Sequence, residues 1–217
     1  MALCLAEARD AVHAELSVIS LRAQLSERGL QNFSVGSAAR DRAEYLRRPD
    51  LGRRLSSASR AVLLEESHPE PERLVIVLAD GLSAVAIERH GLPVLDELLP
   101  LLGSGQIGSW HIAPVVIAEQ ARVAIGDEIG EALRASVTLL LIGERPGLSS
   151  PDSLGAYITW APRVGRSDAE RNCISNIRPE GLSYSLAAGK IAGYLTQARK
   201  FQLTGVALKE ESHQLEV

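Results

Sequence analysis

The chain has 217 residues, of which 46% are hydrophobic and 23% are charged, a composition typical of a globular protein with a sizeable core. The net charge of -4, the lack of a basic block and an aromatic content of 4% argue against binding to nucleic acids. No apolar stretch approaches the ~20 residues that span a bilayer, and the first residues lack the basic and apolar regions of a signal peptide.

The first third of the sequence indicates helices. Apolar residues spaced by three and four predict a long first helix, which Gly29 can end because glycine readily adopts the left-handed conformation. Pro49 ends a short second helix, and Asp50 is a candidate cap for a third. The predicted helices cover residues 3–28, 41–48 and 50–65, with a connector at 33–36.

From residue 74 onward, apolar runs typical of strands alternate with helical patterns. The first run is continuously apolar, as expected for a strand buried on both faces of a parallel sheet, whereas the last alternates and predicts a strand nearer the edge. This order predicts right-handed βαβ crossovers and an α/β fold with a mostly parallel sheet flanked by helices. The predicted strands cover residues 74–79, 112–117, 137–142 and 157–160, and the helices cover 83–90, 94–102, 127–134 and 183–200, with an irregular stretch before the last helix.

The end of the third predicted strand carries a candidate ligand site. Gly143 and Pro146-Gly147 stop this strand, and Glu144 and Arg145 lie between them. Ligands of open α/β sheets bind outside the carboxyl ends of the strands, so a charged pair held on this turn could contact one. The alternative is a solvated turn with an ordinary ion pair.

Two other turns allow two interpretations each. Asp80 follows the first predicted strand and Ser83 can cap the next helix, whose free N–H groups could hold an anionic or polar ligand group; alternatively both side chains are local caps. Residues 103–108 read G-S-G-Q-I-G and match the dinucleotide fingerprint G-x-G-x-x-G. They follow a helix and lead into a strand, the reverse of the required context, so a helix-to-strand loop is the better interpretation.

The histidines and cysteines do not form a recognisable metal site. No two of the five histidines have the i, i+4 spacing of a helical metal site, and neither Cys4 nor Cys173 belongs to a C-x-x-C pair. Two distant cysteines favour a reducing, cytoplasmic setting over a disulfide framework. Cys173 is either a candidate nucleophile or a small buried apolar residue. The residues therefore indicate a ligand-binding α/β module without an evident catalytic set.

Four motifs occur in a fixed order along the chain: RPDLGRR at residues 48–54, ADGLS at 79–83, GERPG at 143–147 and RNCISNI at 171–177. Together they resemble the small (light) subunit of ethanolamine ammonia-lyase. The resemblance extends from about residue 8 to about residue 203, which is nearly the whole chain.

This resemblance implies a subunit of an adenosylcobalamin-dependent enzyme that converts ethanolamine to acetaldehyde and ammonia. It implies a Rossmann-like cobalamin-binding domain over residues 51–205, between an N-terminal helical segment (1–50) and a tail (206–217). The family's large subunit is a TIM barrel that carries the substrate site, and the cofactor lies between the two subunits in a trimer of dimers of heterodimers. The enzyme is cytoplasmic and often associated with a bacterial microcompartment. No metal ligand and no catalytic residue is expected on this chain.

Three positions match the family's cobalamin-contacting residues: Val123 within ARVAIGD, Glu144 within GERPG and Cys173 within RNCISNI. Glu144 can accept hydrogen bonds from side-chain amides or a ribose, Val123 offers apolar contact, and Cys173 is small enough for close approach. The motif Asp-x-His-x-x-Gly, whose histidine replaces the benzimidazole on cobalt in many cobalamin proteins, does not occur. This absence agrees with the base-on cofactor that the resemblance implies.

The sequence departs from the family at its start. Longer members carry a Gly/Arg-rich N-terminal extension that aids contact with the large subunit, so we expect weaker independent assembly of this chain. Two other interpretations stay open: a free-standing nucleotide-binding enzyme that uses Asp80 and Glu144, and a non-catalytic assembly protein. The former would need a glycine fingerprint directly after a strand, which the sequence lacks.

Overall fold

The structure, a computed structural model, describes residues 12–103, 110–147, 150 and 152–208. These residues form one seven-stranded sheet with helices on both faces, which confirms the predicted α/β fold. The strands are β1 (Asn32–Gly36), β2 (Arg73–Ala79), β3 (His111–Ile112), β4 (Val115–Glu119), β5 (Val137–Gly143), β6 (Leu154–Trp160) and β7 (Asn172–Ile177). The helices are α1 (Val18–Glu27), α2 (Arg42–Arg47), α3 (Ser57–Glu65), α4 (Ala84–Gly103), α5 (Ile125–Ala132) and α6 (Tyr184–Phe201).

The sheet is parallel in its first part and antiparallel in its last. The strand order is β1-β4-β2-β5-β6-β7, and β3 lies beside β2. Strands β1 to β5 pair in parallel, whereas β6 and β7 are antiparallel to their neighbours. Strand β2 is fully buried because its alternate residues enter two cores: Leu74, Ile76 and Leu78 pack toward α4 and α6, and Val75 and Val77 toward α3 and α5.

The long helix predicted for residues 3–28 was wrong in its extent. Residues 3–11 lie outside the described part of the chain, and residues 14–17 are not helical. Helix α1 begins only at Val18. The backbone N–H of Ser17 donates to the Glu88 carboxylate of α4 at 2.7 Å, so a tertiary contact determines how the chain enters the helix.

Two further predictions before β2 were wrong. The connector predicted at 33–36 is part of edge strand β1, in which Val35 is buried and the next residue pairs with Glu119 of β4. The helix predicted at 50–65 begins only at Ser57, after a 3-10 turn. Ser56 caps it by accepting the Ser59 N–H at 3.1 Å.

After β2, the predicted and observed elements differ where tertiary contacts decide the structure. The helices predicted at 83–90 and 94–102 are one helix, α4, because its burial against the sheet and α6 outweighs the donor lost at Pro93. The strand predicted at 112–117 is interrupted at residues 113–114 and forms β3 and β4. Strand β6 lies next to edge strand β7, which confirms its predicted position nearer the edge of the sheet. Strand β7 itself was missed, since it occupies part of the predicted irregular stretch.

The remaining predicted helices are confirmed with small shifts of their ends. Helix α2 begins after Asp41, whose carboxylate accepts the Glu44 N–H at 2.7 Å. Helix α6 begins after Ser183, whose hydroxyl accepts the Leu186 N–H at 3.4 Å. Within the described ranges, no helix combines the length and apolarity needed to cross a membrane.

Two glycines let the carboxyl ends of β2 and β5 meet. Gly81 has a φ of +57°, and a Cβ on it would lie 2.1 Å from the Gly143 carbonyl oxygen. A Cβ on Gly143 would lie 2.0 Å from the Ser83 carbonyl oxygen. The Leu82 N–H donates to the Gly143 carbonyl oxygen at 3.0 Å, so the two strand ends are hydrogen-bonded at the site where they touch.

We expect Gly81→Ala to lower the free energy of unfolding by at least about 2 kcal/mol, because the new methyl group meets a backbone oxygen and the φ angle is strained. Chemical denaturation measures this change. The matched control is Gly189→Ala on α6, where a Cβ would have no neighbour within 4 Å. That variant should change stability by less than about 1 kcal/mol. Equal effects of the two substitutions would contradict the close contact between β2 and β5.

Candidate functional site

Two neighbouring cavities adjoin the segments that follow the parallel strands, and the larger one also borders Tyr157 within β6 and residues 166–171 before β7. Their volumes are about 290 Å³ and 490 Å³. Arg122, Val123 and Tyr157 line both cavities, which therefore form one groove. We call this the strand-end groove, with a smaller cavity beside Glu144 and a larger cavity beside Arg171. Its position agrees with the general location of ligand sites in open α/β sheets.

The three residues predicted for the site lie around one tyrosine that the sequence analysis did not single out. Val123 is half-buried and lines both cavities together with Tyr157. Glu144 lines the smaller cavity. Cys173 lines neither of these cavities but pairs with Tyr157 across β6 and β7. The structure thus brings all three to the same surface, with Tyr157 between them.

Tyr157 is held in its neutral form. Burial, interaction with the Cys173 thiol and the nearby charge of Glu144 raise the pKa of its hydroxyl well above the ordinary value of 10. A neutral phenol can donate a hydrogen bond to a ligand in the groove. The alternating pattern at residues 157–160 predicted a strand nearer the edge of the sheet. Nothing local in that pattern distinguishes a tyrosine that faces a ligand from one on the open surface.

Glu144 and Arg145 do not form the ion pair that was the alternative interpretation of their turn. The Glu144 carboxylate accepts the backbone N–H of Asn176, at the end of β7, at 3.1 Å. Arg145 is exposed and lines the smaller cavity. Glu144 therefore links the end of β5 to β7 and keeps further lone pairs for another donor. Cys173 is exposed, so its interpretation as a buried apolar residue was wrong.

Asp80 has a structural role beside the groove, whose two cavities it does not line. Its buried carboxylate accepts the backbone N–H groups of Gln120 and Ala121 at 2.8 and 2.9 Å, and it pairs with Arg42 at 3.0 Å. Burial raises the pKa of Asp80, while these donors oppose the change. Neither interpretation made from the sequence included this role, because the Asp80 carboxylate binds the residues that follow β4, which are distant in sequence. Ser83 does act locally, since its hydroxyl accepts the Ala86 N–H at 3.3 Å.

The larger cavity is bounded by a buried ion pair and a capped turn. The Arg171 guanidinium donates twice to the Asp127 carboxylate, with one contact at 2.8 Å, and both side chains are almost fully buried. Glu170 accepts hydrogen bonds from the guanidinium of Arg166 and from the backbone N–H and hydroxyl of Ser167. The turn that closes this end of the groove is thus ordered by charge-assisted hydrogen bonds.

The family model of the ethanolamine ammonia-lyase light chain (EutC) matches residues 1–209. The chain belongs to this family. It is 54% identical to the ethanolamine ammonia-lyase small subunit of Azotobacter vinelandii over 209 residues, which cover 95% of this chain and 76% of that protein. It is also 54% identical to the small subunit of Pseudomonas fluorescens, with 95% and 75% covered, and 52% identical to that of Pseudomonas putida GB-1, with 97% and 78% covered. Because an ammonia-lyase cleaves a carbon–nitrogen bond, this light chain is a subunit of a carbon–nitrogen lyase.

The sequence also raised a dinucleotide fingerprint and the question of a metal site. The loop that follows Gly103 in the G-x-G-x-x-G match lies outside the described residues. Across the described ranges, no group of three or more His, Cys, Asp or Glu side chains is placed to hold a metal ion.

We expect the capped turn of the light chain to lose stability in acid. Hydrogen bonds from the Ser167 backbone, the Arg166 guanidinium and the Ser167 hydroxyl lower the pKa of Glu170 to about 2 from the ordinary 4.5. Because the folded-state pKa is depressed, the stabilisation is present above pH 4.5 and is lost as the pH falls from 4.5 toward 2. Glu170→Gln should therefore melt below the wild type at neutral pH, and the difference in melting temperature should shrink below pH 4.5.

Thermal melts across this pH range check the expectation. The matched control is Glu97→Gln, which removes an exposed carboxylate on α4. Its melting temperature should follow that of the wild type at each pH. A Glu170→Gln difference that stays constant from neutral pH down to about pH 3 would contradict the depressed pKa.

Proposed function

We propose that the light chain carries one side of an adenosylcobalamin site in the strand-end groove, and that a large subunit completes this site. The enzyme so formed would convert ethanolamine to acetaldehyde and ammonia. The observation that carries the proposal is the arrangement of three residues around Tyr157: Val123 and Glu144 follow β4 and β5, and Cys173 pairs with Tyr157 near the start of β7.

The chemistry of these side chains fits a cobalamin, which has amide side chains around its corrin ring. Glu144 is half-buried, and it can accept hydrogen bonds from such amides. Tyr157 offers a neutral hydroxyl, and Val123 offers an apolar surface between the two cavities. Cys173 is exposed and small, so a bulky ring can approach β7 closely. When bound, the cofactor supplies the radical chemistry, and these residues bind and orient it.

The groove has the character of a half-site. Pockets for drug-sized ligands measure roughly 300–1,000 Å³ and bury most of the ligand. The cavities of about 290 and 490 Å³ can cover only part of a molecule as large as cobalamin. We infer that the large subunit covers the rest, shields the reactive intermediates from water and carries the substrate site. Assembly as a trimer of dimers of heterodimers, and association with a microcompartment, belong to the same proposal.

Glu144→Gln should weaken cobalamin binding without unfolding the light chain. Glutamine keeps an oxygen that can accept the Asn176 N–H but removes the charge that strengthens hydrogen bonds from cofactor amides. We expect the dissociation constant for hydroxocobalamin, measured on the complex with the large subunit, to rise roughly tenfold. The melting temperature of the light chain should not change.

Glu97→Gln, on the exposed face of α4, is the control and should bind as the wild type does. Visible absorbance after gel filtration reports the retained cofactor. Wild-type affinity in Glu144→Gln would contradict a cobalamin contact at this residue. Equal losses of affinity and of melting temperature would instead mean that Glu144 only stabilises the fold.

A further inference from the structure

The larger cavity of the strand-end groove is lined by four arginines and one carboxylate. Two of the arginines already have carboxylate partners: Arg171 pairs with Asp127, and Arg166 pairs with Glu170. The other two, Arg53 and Arg122, have no hydrogen bond or ion pair from their guanidinium groups to any described residue. The residues that carry charge in this lining are Arg53, Arg122, Arg166, Asp168 and Arg171.

Arg122 is held in place although nothing in the described part of the chain accepts its hydrogen bonds. Its guanidinium carbon lies 4.5 Å from the centre of the Tyr45 ring, and the Tyr45 hydroxyl donates to the Ala121 carbonyl oxygen at 2.9 Å. Its Nε atom is buried without a hydrogen-bond partner among the described residues. A buried donor that lacks an acceptor costs free energy, so an anionic ligand would be stabilised at this atom.

A close backbone contact joins the Arg122 and Arg53 segments. The Arg122 N–H donates to the Gly52 carbonyl oxygen at 2.7 Å. A Cβ on Gly52 would lie 3.0 Å from Cγ of Arg122 and 2.7 Å from the Tyr45 ring, so glycine allows the arginine stem to pass. Both arginines line the same cavity as a result. Asp168, the carboxylate in the lining, has a side chain that is 97% exposed and is therefore well screened by water.

We propose that Arg122 and Arg53 bind the phosphodiester in the nucleotide tail of the cobalamin. The inference rests on the proposed function, because it assigns a part of that cofactor to the larger cavity. Guanidinium groups suit phosphate oxygens because their planar donors can make two parallel hydrogen bonds. Val123 lies next to Arg122 in sequence and lines both cavities, so a ring contact at Val123 and a phosphate contact at Arg122 are within reach of one ligand.

Binding of cobinamide and cobinamide phosphate to the complex with the large subunit tests this assignment. The two probes share the corrin ring and its amides and differ in the phosphate group. Wild-type complex should bind cobinamide phosphate about 10- to 100-fold more tightly than cobinamide, since each hydrogen bond to a charged group contributes substantially. Arg122→Gln should remove most of this preference, and Arg53→Gln should remove part of it. The preference is the ratio of the two affinities measured on the same variant, so a general effect of a substitution on corrin binding cancels.

Arg163→Gln is the matched control, because Arg163 is an exposed arginine near Arg166 that does not line the cavity. It should keep the wild-type preference, and Arg122→Lys should keep more of it than Arg122→Gln does.

The inference is overturned if the wild type shows no preference, or if Arg122→Gln and Arg53→Gln both keep it. If Arg122→Gln does not fold, the Arg53→Gln variant decides by itself, because Arg53 is exposed. The inference is then overturned if this variant prefers cobinamide phosphate as strongly as the wild type does. A wild-type complex that does not bind hydroxocobalamin would instead refute the proposed function.

Discussion

The buried carboxylate of Asp80 is the interaction on which the strand-end groove depends. It joins the end of β2 to the end of β4 through the N–H groups of Gln120 and Ala121, and to α2 through Arg42. Breaking a buried pair by removing one partner costs about 3–5 kcal/mol, so this geometry is strongly determined. Since Arg122 and Val123 directly follow the segment that Asp80 holds, the position of the groove wall is determined from within the fold.

The groove combines rigid walls with unused hydrogen-bonding capacity. The glycine contact between β2 and β5 brings the two strand ends together, and Glu144 joins the end of β5 to β7. Beside these strand ends, the raised pKa of Tyr157 keeps its hydroxyl protonated. The Arg122 guanidinium lies over the Tyr45 ring, and its buried Nε atom has no hydrogen-bond partner among the described residues. The Arg122 donor, which has no acceptor among the described residues, is a group that a ligand or a second subunit can engage, so the site is ordered before it is completed.

Much of the fold could be predicted from local pattern, and the errors occurred where tertiary contacts decide. The continuous apolar run of β2 indicated a buried parallel strand correctly, because burial on both faces leaves no polar position. Pro93 was misleading, since the packing of α4 outweighs one lost donor. The site was only partly accessible to sequence reasoning. Glu144 could be found because it follows a strand. Tyr157 could not, because its role depends on Cys173 in the neighbouring antiparallel strand, and no local pattern in the sequence indicates that the two strands pair.

The most direct test of the account is a cryo-electron-microscopy map of the light chain bound to its large subunit and hydroxocobalamin. The account predicts corrin density over the strand-end groove, in contact with Val123, Glu144 and Cys173 on one side and with the large subunit on the other. Corrin density that lies wholly within the large subunit, with the groove facing solvent, would contradict it.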